Sequence, residues 1–176
     1  MILLVGVAAT LAFAGRAAAQ EGVETATLER SASFEISPIS GSLKETRQSG
    51  QQLVWLGKGG PDDRRFQITN ISVAFLRSDA AGEVKMTFAG DISSFGYRPV
   101  DEARLNIIVR TRGGSSIYSW IAGISVRCTD SNRPITLSQE IPGDVAANVF
   151  NNVGAVEVAE YRQPDLPPVK VRRCPG

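Results

Sequence analysis

Histidine is the general base of Ser–His and Cys–His nucleophilic systems and the commonest metal ligand, and this chain of 176 residues contains none. The chemistry left is that of Ser–Lys pairs, carboxylate pairs and thiols. Only four lysines occur, Lys44, Lys58, Lys85 and Lys170, and the one close spacing, Ser42-Leu43-Lys44, is what chance supplies. Two cysteines without histidine make a poor zinc set. The acids expected in loops are Asp62, Asp63, Asp79, Asp91, Asp101, Glu102, Asp130, Asp144 and Asp165. Solvation, turn formation and helix capping account for most such residues. No D-x-D-x-D-G run marks a calcium loop, and spacing along a chain does not disclose the through-space distance that a glycoside-cleaving carboxylate pair requires. The sequence therefore reads as that of a non-enzymatic protein with no cofactor and no metal.

The thiols are Cys128 and Cys174, 46 residues apart. In an oxidising compartment such a pair is a disulfide, and closing a loop of that length stabilises a fold by ~4 kcal/mol on the chain-entropy model. A redox role would call for a close C-x-x-C pair, which is absent. Positive charge rests on 15 arginines against 4 lysines. Arg104, Arg110 and Arg112 share one parity of an expected strand and compose a candidate anion or partner patch, since the guanidinium fork suits carboxylate and phosphate. The plainer role of such a face is solubility and protection against edge pairing. Tyr118 and Trp120 also share parity and would be the stacking pair of a glycan-binding face, if not core residues. Asn70-Ile71-Ser72 matches the glycosylation pattern but falls within an expected strand.

The elements that must position these groups begin after a targeting segment. Residues 1–13, MILLVGVAATLAF, are an unbroken apolar run, too short for a membrane span of roughly 20 residues and followed by Ala17-Ala18-Ala19. Residues 1–19 are thus expected to be a cleaved secretory signal peptide, with a soluble periplasmic or secreted product. Loss of Arg16 leaves 18 basic groups (19 less one) against 18 acidic ones. A neutral domain has no electrostatic reason to bind nucleic acid or an anionic membrane.

Residues 20–31 carry few large apolar side chains and are expected to form a flexible leader; 32–176 should form one domain. Period-2 alternation or short apolar runs bounded by turn residues predict strands over 33–39, 52–56, 65–77, 83–89, 104–112, 116–128, 134–141, 155–161 and 169–173. In 65–77 the apolar parity changes sides midway, which predicts a bulge near Asn70 or a second half buried on both faces. Gly113-Gly114 predicts a hairpin turn, and Gly123 a bulge, a bend or the close approach of another backbone. One helix is expected over 145–151, with Asp144 as N-cap. About eight or nine strands with antiparallel hairpins and no long helices predict an all-β sandwich of immunoglobulin or fibronectin-like architecture, with a small barrel as the alternative.

The function expected is that of a binding, scaffolding or accessory subunit of the bacterial cell envelope. It would present a sheet face, an edge strand or the loops 57–64, 91–99 and 163–168 to a protein or glycan. The alternative is a carbohydrate-binding, lectin-like module or a carboxylate-based glycoside hydrolase.

Overall fold

The chain is all-β and antiparallel, as a computed structural model describing residues 22–47, 50–78, 82–161 and 168–176 shows. In order, the strands are β1 (Val23–Leu28), β2 (Ala32–Pro38), β3 (Leu43–Thr46), β4 (Leu53–Leu56), β5 (Arg64–Arg77), β6 (Val84–Ser94), β7 (Tyr97–Pro99), β8 (Ala103–Thr111), β9 (Ser116–Ile124), β10 (Arg133–Ile141), β11 (Val153–Glu160) and β12 (Val169–Arg173), with one helix, α1 (Gly143–Asn152). Residues 1–21, and with them the expected signal peptide, lie outside the described residues.

The two hairpins expected from alternation and turn chemistry are present as β5–β6 and β8–β9, the second closed at Gly114 with φ +87°. From them grows a run in the order β10-β6-β5-β3-β2-β11-β8-β9. A second branch, β4-β1-β12-β7, leaves from the first half of β5. The sheet folds over a core that includes Phe34, Trp55, Phe66, Ile68, Val73, Phe75, Phe88, Leu105, Ile107, Val156 and Val158, giving a sandwich that does not close into a barrel. Both α1 and the β10 edge follow from short chain logic. Ala146, Val149 and Phe150 lie on one helical face and are buried, and the helix packs on β6, β8 and β9.

The side switch in β5 is a bulge. Pairing with β6 shifts register between Thr69 and Ser72, and Asn70 takes φ +51°. Phe66 and Ile68 face inward before it, and Ile71, Val73 and Phe75 after it. Asn is among the few side chains that tolerate a left-handed backbone, and its amide donates to Asp91 Oδ2 at 2.7 Å. Opposite the bulge stands Gly90. A Cβ there would lie 2.7 Å from Ile68 Cγ2 and 3.0 Å from the Thr69 carbonyl oxygen. Gly90 and Asp91, which lie past the strand expected over 83–89, are therefore in the middle of β6, where the bulging neighbour leaves no room for a side chain at 90.

Three further differences have local causes. The expected leader contains β1, whose small Ala26 and single Leu28 suffice because it is flanked by β12 and β4. β3 and β7 were hidden by charge and shortness: in Leu43–Thr46 only Thr46 is buried, and its hydroxyl accepts from the Val73 N–H. The helix begins earlier than expected, with Pro142 at the N-cap position and its carbonyl accepting from the Val145 and Ala146 N–H groups; Asp144 makes no side-chain cap.

The close fit at Gly90 yields a direct expectation. Gly90→Ala should lower stability by about 2 kcal/mol through overpacking, measured by urea denaturation, whereas Gly143→Ala, whose added Cβ meets nothing within 4 Å, should leave it nearly unchanged.

Candidate functional site

At the end of the sandwich where β8 starts and β9 and β11 finish, the described residues leave an opening. The inward parity of β11 runs Val156, Val158, Glu160, so the core face ends in a carboxylate rather than an aliphatic group. Opposite it, β12 and the chain after β7 form a second wall. Between them lies a cleft of about 860 Å³ whose lining includes Arg98, Glu102, Arg104, Glu160, Tyr161 and Lys170. Asp101 completes a set of three carboxylates facing three cations. Among the described residues the lining is thus balanced in charge and divided about evenly between polar and apolar groups, so a single-sign ligand would meet as much repulsion as attraction.

Gly123 has its explanation here. A Cβ on it would fall 2.3 Å from Glu102 Oε2, so the glycine seats that carboxylate against β9. What approaches Gly123 is thus a side chain and not the backbone expected from sequence. Among the described residues no group of three or more His, Cys, Asp or Glu side chains is arranged to hold a metal ion.

The walls of the cleft are tied together. Cys128 and Cys174 form the expected disulfide, with Cα atoms 5.6 Å apart, joining the segment after β9 to the segment after β12. The Cys174 N–H also donates to the Gly96 carbonyl. Next to Cys128 the chain is fixed by Asp130, whose side chain is 2% exposed. Its carboxylate accepts from Arg133 Nε at 2.6 Å and Nη2 at 2.8 Å and from the Arg127 N–H at 2.7 Å. Burial alone would raise the Asp130 pKa; the hydrogen bonds from Arg133 and Arg127, with the charges of both, outweigh it and hold the carboxyl below its ordinary value.

The expected arginine patch does not assemble. Arg104 and Arg110 keep the outward parity of β8, whose alternation is unbroken, but Arg112 lies beyond the strand's end and the other two are committed to different surroundings. Arg104 is exposed and lines the cleft. Arg110 is bound to Glu157, with Nη2 2.6 Å from Oε2, and donates to the Gly114 carbonyl. Arg112 lies in the β8–β9 turn, its stem against Gly154. The expected stacking pair also differs from a flat exposed platform: Tyr118 and Trp120 are paired with Val109 and Ile107, face the core and are partly buried, and burial raises the Tyr118 pKa. The other acids are largely structural. Asp63 accepts from Gly59 and Arg65, and Asp91 from Asn70. Asp79, Asp165 and most of the loop 163–168 lie outside the described residues.

The outward side of β9 is the second surface of note. β9 pairs with β8 on one edge, and among the described residues no strand pairs with the other. From Ser116 to Ile124 it contains no charge and no proline, and Ile121 on its outer face is 47% exposed. Natural edges are ordinarily guarded by lysine, proline or shortness. The other two ends of the sheet are: β7 has three residues with Arg98 and Pro99, and β10 carries Arg133, Pro134 and Glu140. Glu160, Tyr161 and the bare β9 edge were missed from sequence, although the inward parity of Glu160 was visible in β11 itself.

No family model, no curated protein and no solved structure matches the chain. Function therefore rests on the chain's own geometry.

Asp130→Asn should cost about 2 kcal/mol at neutral pH, the worth of charge-assisted hydrogen bonds to a buried carboxylate. A carboxyl whose folded pKa is depressed contributes stability above its unfolded pKa, and that contribution vanishes as pH falls through the folded pKa. The difference between wild type and variant in urea melts should accordingly be full at pH 7 and shrink as the pH drops below the ordinary carboxylate range.

Proposed function

We propose that this chain is an exported, non-enzymatic β-sandwich module of the bacterial cell envelope that binds a partner protein by strand addition at β9. The observation that carries this reading is the unguarded edge: nine residues, Ser116–Ile124, uncharged and free of proline, in a sheet whose other ends are blunted. Strand addition draws affinity from main-chain hydrogen bonds and specificity from alternate side chains. The fitting partner segment is extended, uncharged and β-branched or aromatic, with one side chain resting on Ile121. Export is supported by the apolar run at residues 1–13 with its Ala17-Ala18-Ala19 sequence and by the disulfide, which belongs to an oxidising compartment. Among the described residues no helix is long and apolar enough to cross a membrane.

A second reading is favoured by one feature of the cleft: Tyr161 stands with Glu102 and Glu160. An aromatic residue in the wall and the Glu102 carboxylate beside it, able to accept hydroxyl hydrogen bonds, suit a neutral glycan, held without cleavage.

A photo-cross-linking residue placed at Ser119 or at Tyr161 in the protein expressed in its native cell separates the two. The protein reading expects one discrete cross-linked species from position 119, lost when Ile121→Lys is added while the circular dichroism spectrum is unchanged. No adduct at 119, together with glycan binding that Tyr161→Ala abolishes, would replace it with the second reading.

A further inference from the structure

Arg112 leaves the expected patch and enters another cluster. Lys44 on β3 and Arg77 at the end of β5 both stand over the ring of Phe150 in α1, with Nζ 4.8 Å and Cζ 4.7 Å from its centroid. Phe150 is 2% exposed, so the two cations roof a buried ring. The Lys44 ammonium also donates to the Phe150 carbonyl, near the negative end of the helix dipole. An ammonium has three donors, which leaves two for another acceptor.

The helix end and the ring explain one charge well. They do not explain three. Arg112 is exposed and close enough to act on Lys44, whose pKa is lowered first by burial and then by the charges of Arg112 and Arg77. Among the described residues no carboxylate forms an ion pair with Lys44, Arg77 or Arg112. Elsewhere the protein neutralises its gathered arginines: Arg65 with Glu24 and Asp63, Arg110 with Glu157, Arg133 with Asp130. Here, among the described residues, Lys44 and Arg77 stand over one apolar floor with no carboxylate paired to them, and Arg112 adds a third charge that acts on Lys44 from the β8–β9 turn.

We infer that Lys44, Arg77 and Arg112 form a binding site for a phosphate group, with Phe150 as its floor. A phosphate ester or free phosphate carries a charge of about −1.5 to −2 near neutral pH and oxygens directed to several sides at once. Two guanidinium forks and an ammonium with two spare donors match that better than a single carboxylate, which would satisfy one arginine and leave the rest opposed. This site is separate from the β9 edge and from the cleft, and it stands whether or not either of those binds its partner.

The test is a titration of the folded protein with inorganic phosphate at constant ionic strength, following amide and Lys44 side-chain NMR signals. Saturable shifts confined to β3, the β8–β9 turn and the end of α1 are expected, with the Lys44 pKa moving upward as phosphate binds. Arg112→Gln and Arg77→Gln should each weaken binding about tenfold, as the loss of one charge-assisted contact implies. Vesicles of phosphatidylcholine with added phosphatidylglycerol form the second arm. Co-sedimentation that the Arg77→Gln, Arg112→Gln double variant abolishes assigns the phosphate to a lipid headgroup; phosphate binding without it assigns a soluble phosphate compound. Shifts that fail to saturate, a Lys44 pKa that does not move, or equal binding by the double variant would overturn the site.

Discussion

Strand β5 is shared between the two halves of the protein, and its bulge at Asn70 is the constraint on which the layering depends. Its first half pairs with β4 and its second half with β3, while β6 runs along the other side of both. Side chains alternate with a period of two, so a regular strand of 14 residues would keep one parity inward throughout. Without the extra residue, Ile71, Val73 and Phe75 would face solvent whenever Phe66 and Ile68 faced the core. The left-handed turn at Asn70 returns them to the inside, and Gly90 yields the space that this requires. The same irregularity parts β4 from β3, and so starts the branch that carries β1, β12 and β7.

That branch is held by charge as well as by the burial of Leu53, Trp55 and Val171. Arg65, on the face of β5 opposite Phe66, is 5% exposed and reaches Glu24 on β1 at 2.7 Å and Asp63 at 2.8 Å, with its guanidinium 3.7 Å from the Tyr97 ring on β7. One side chain thus links two strands of the branch, β1 and β7, to its root on β5. Gly57 is required beside it, since a Cβ would fall 2.3 Å from Arg65 Nε. The far end is fixed by covalency, where Cys128–Cys174 joins β12 to the loop that also holds Asp130 and Arg133. The cleft lies between these two fastenings. Its walls can remain apart because the fold does not rely on packing them together.

Much of this was written in local pattern. Alternation gave β5, β6, β8 and β11, the parity change at Asn70 gave the bulge, and thiol arithmetic gave the disulfide. What stayed hidden depends on distance through space. Gly90 reads as a turn residue until Ile68 is placed against it. β1 reads as a leader because Ala26 and Leu28 are little apolar area unless neighbours already exist on both sides. Arg104 and Arg110 do share the outward face of β8, yet one lines the cleft and the other is taken by Glu157, while Arg112 lies past the strand in the β8–β9 turn. The convergence of Lys44, Arg77 and Arg112 joins positions 44, 77 and 112, and no window of sequence contains them together.

The distribution of charge along the sheet ends separates what is structural from what is left for function. Edge pairing is a hazard for any exposed strand, and guarding it with charge or proline has little cost when nothing must bind there. β7 and β10 are so guarded. β9 is long enough to offer a full ladder of donors and acceptors, and its alternate positions hold Tyr118, Trp120 and Ala122 inward and Ser119 and Ile121 outward. A lysine at 119 or 121 would face solvent and disturb no core contact, so stability does not dictate its absence. Among the described residues β9 is thus an edge that could be protected without loss to the fold, in a sheet whose other ends are protected, and this contrast is the ground on which strand addition at β9 is proposed.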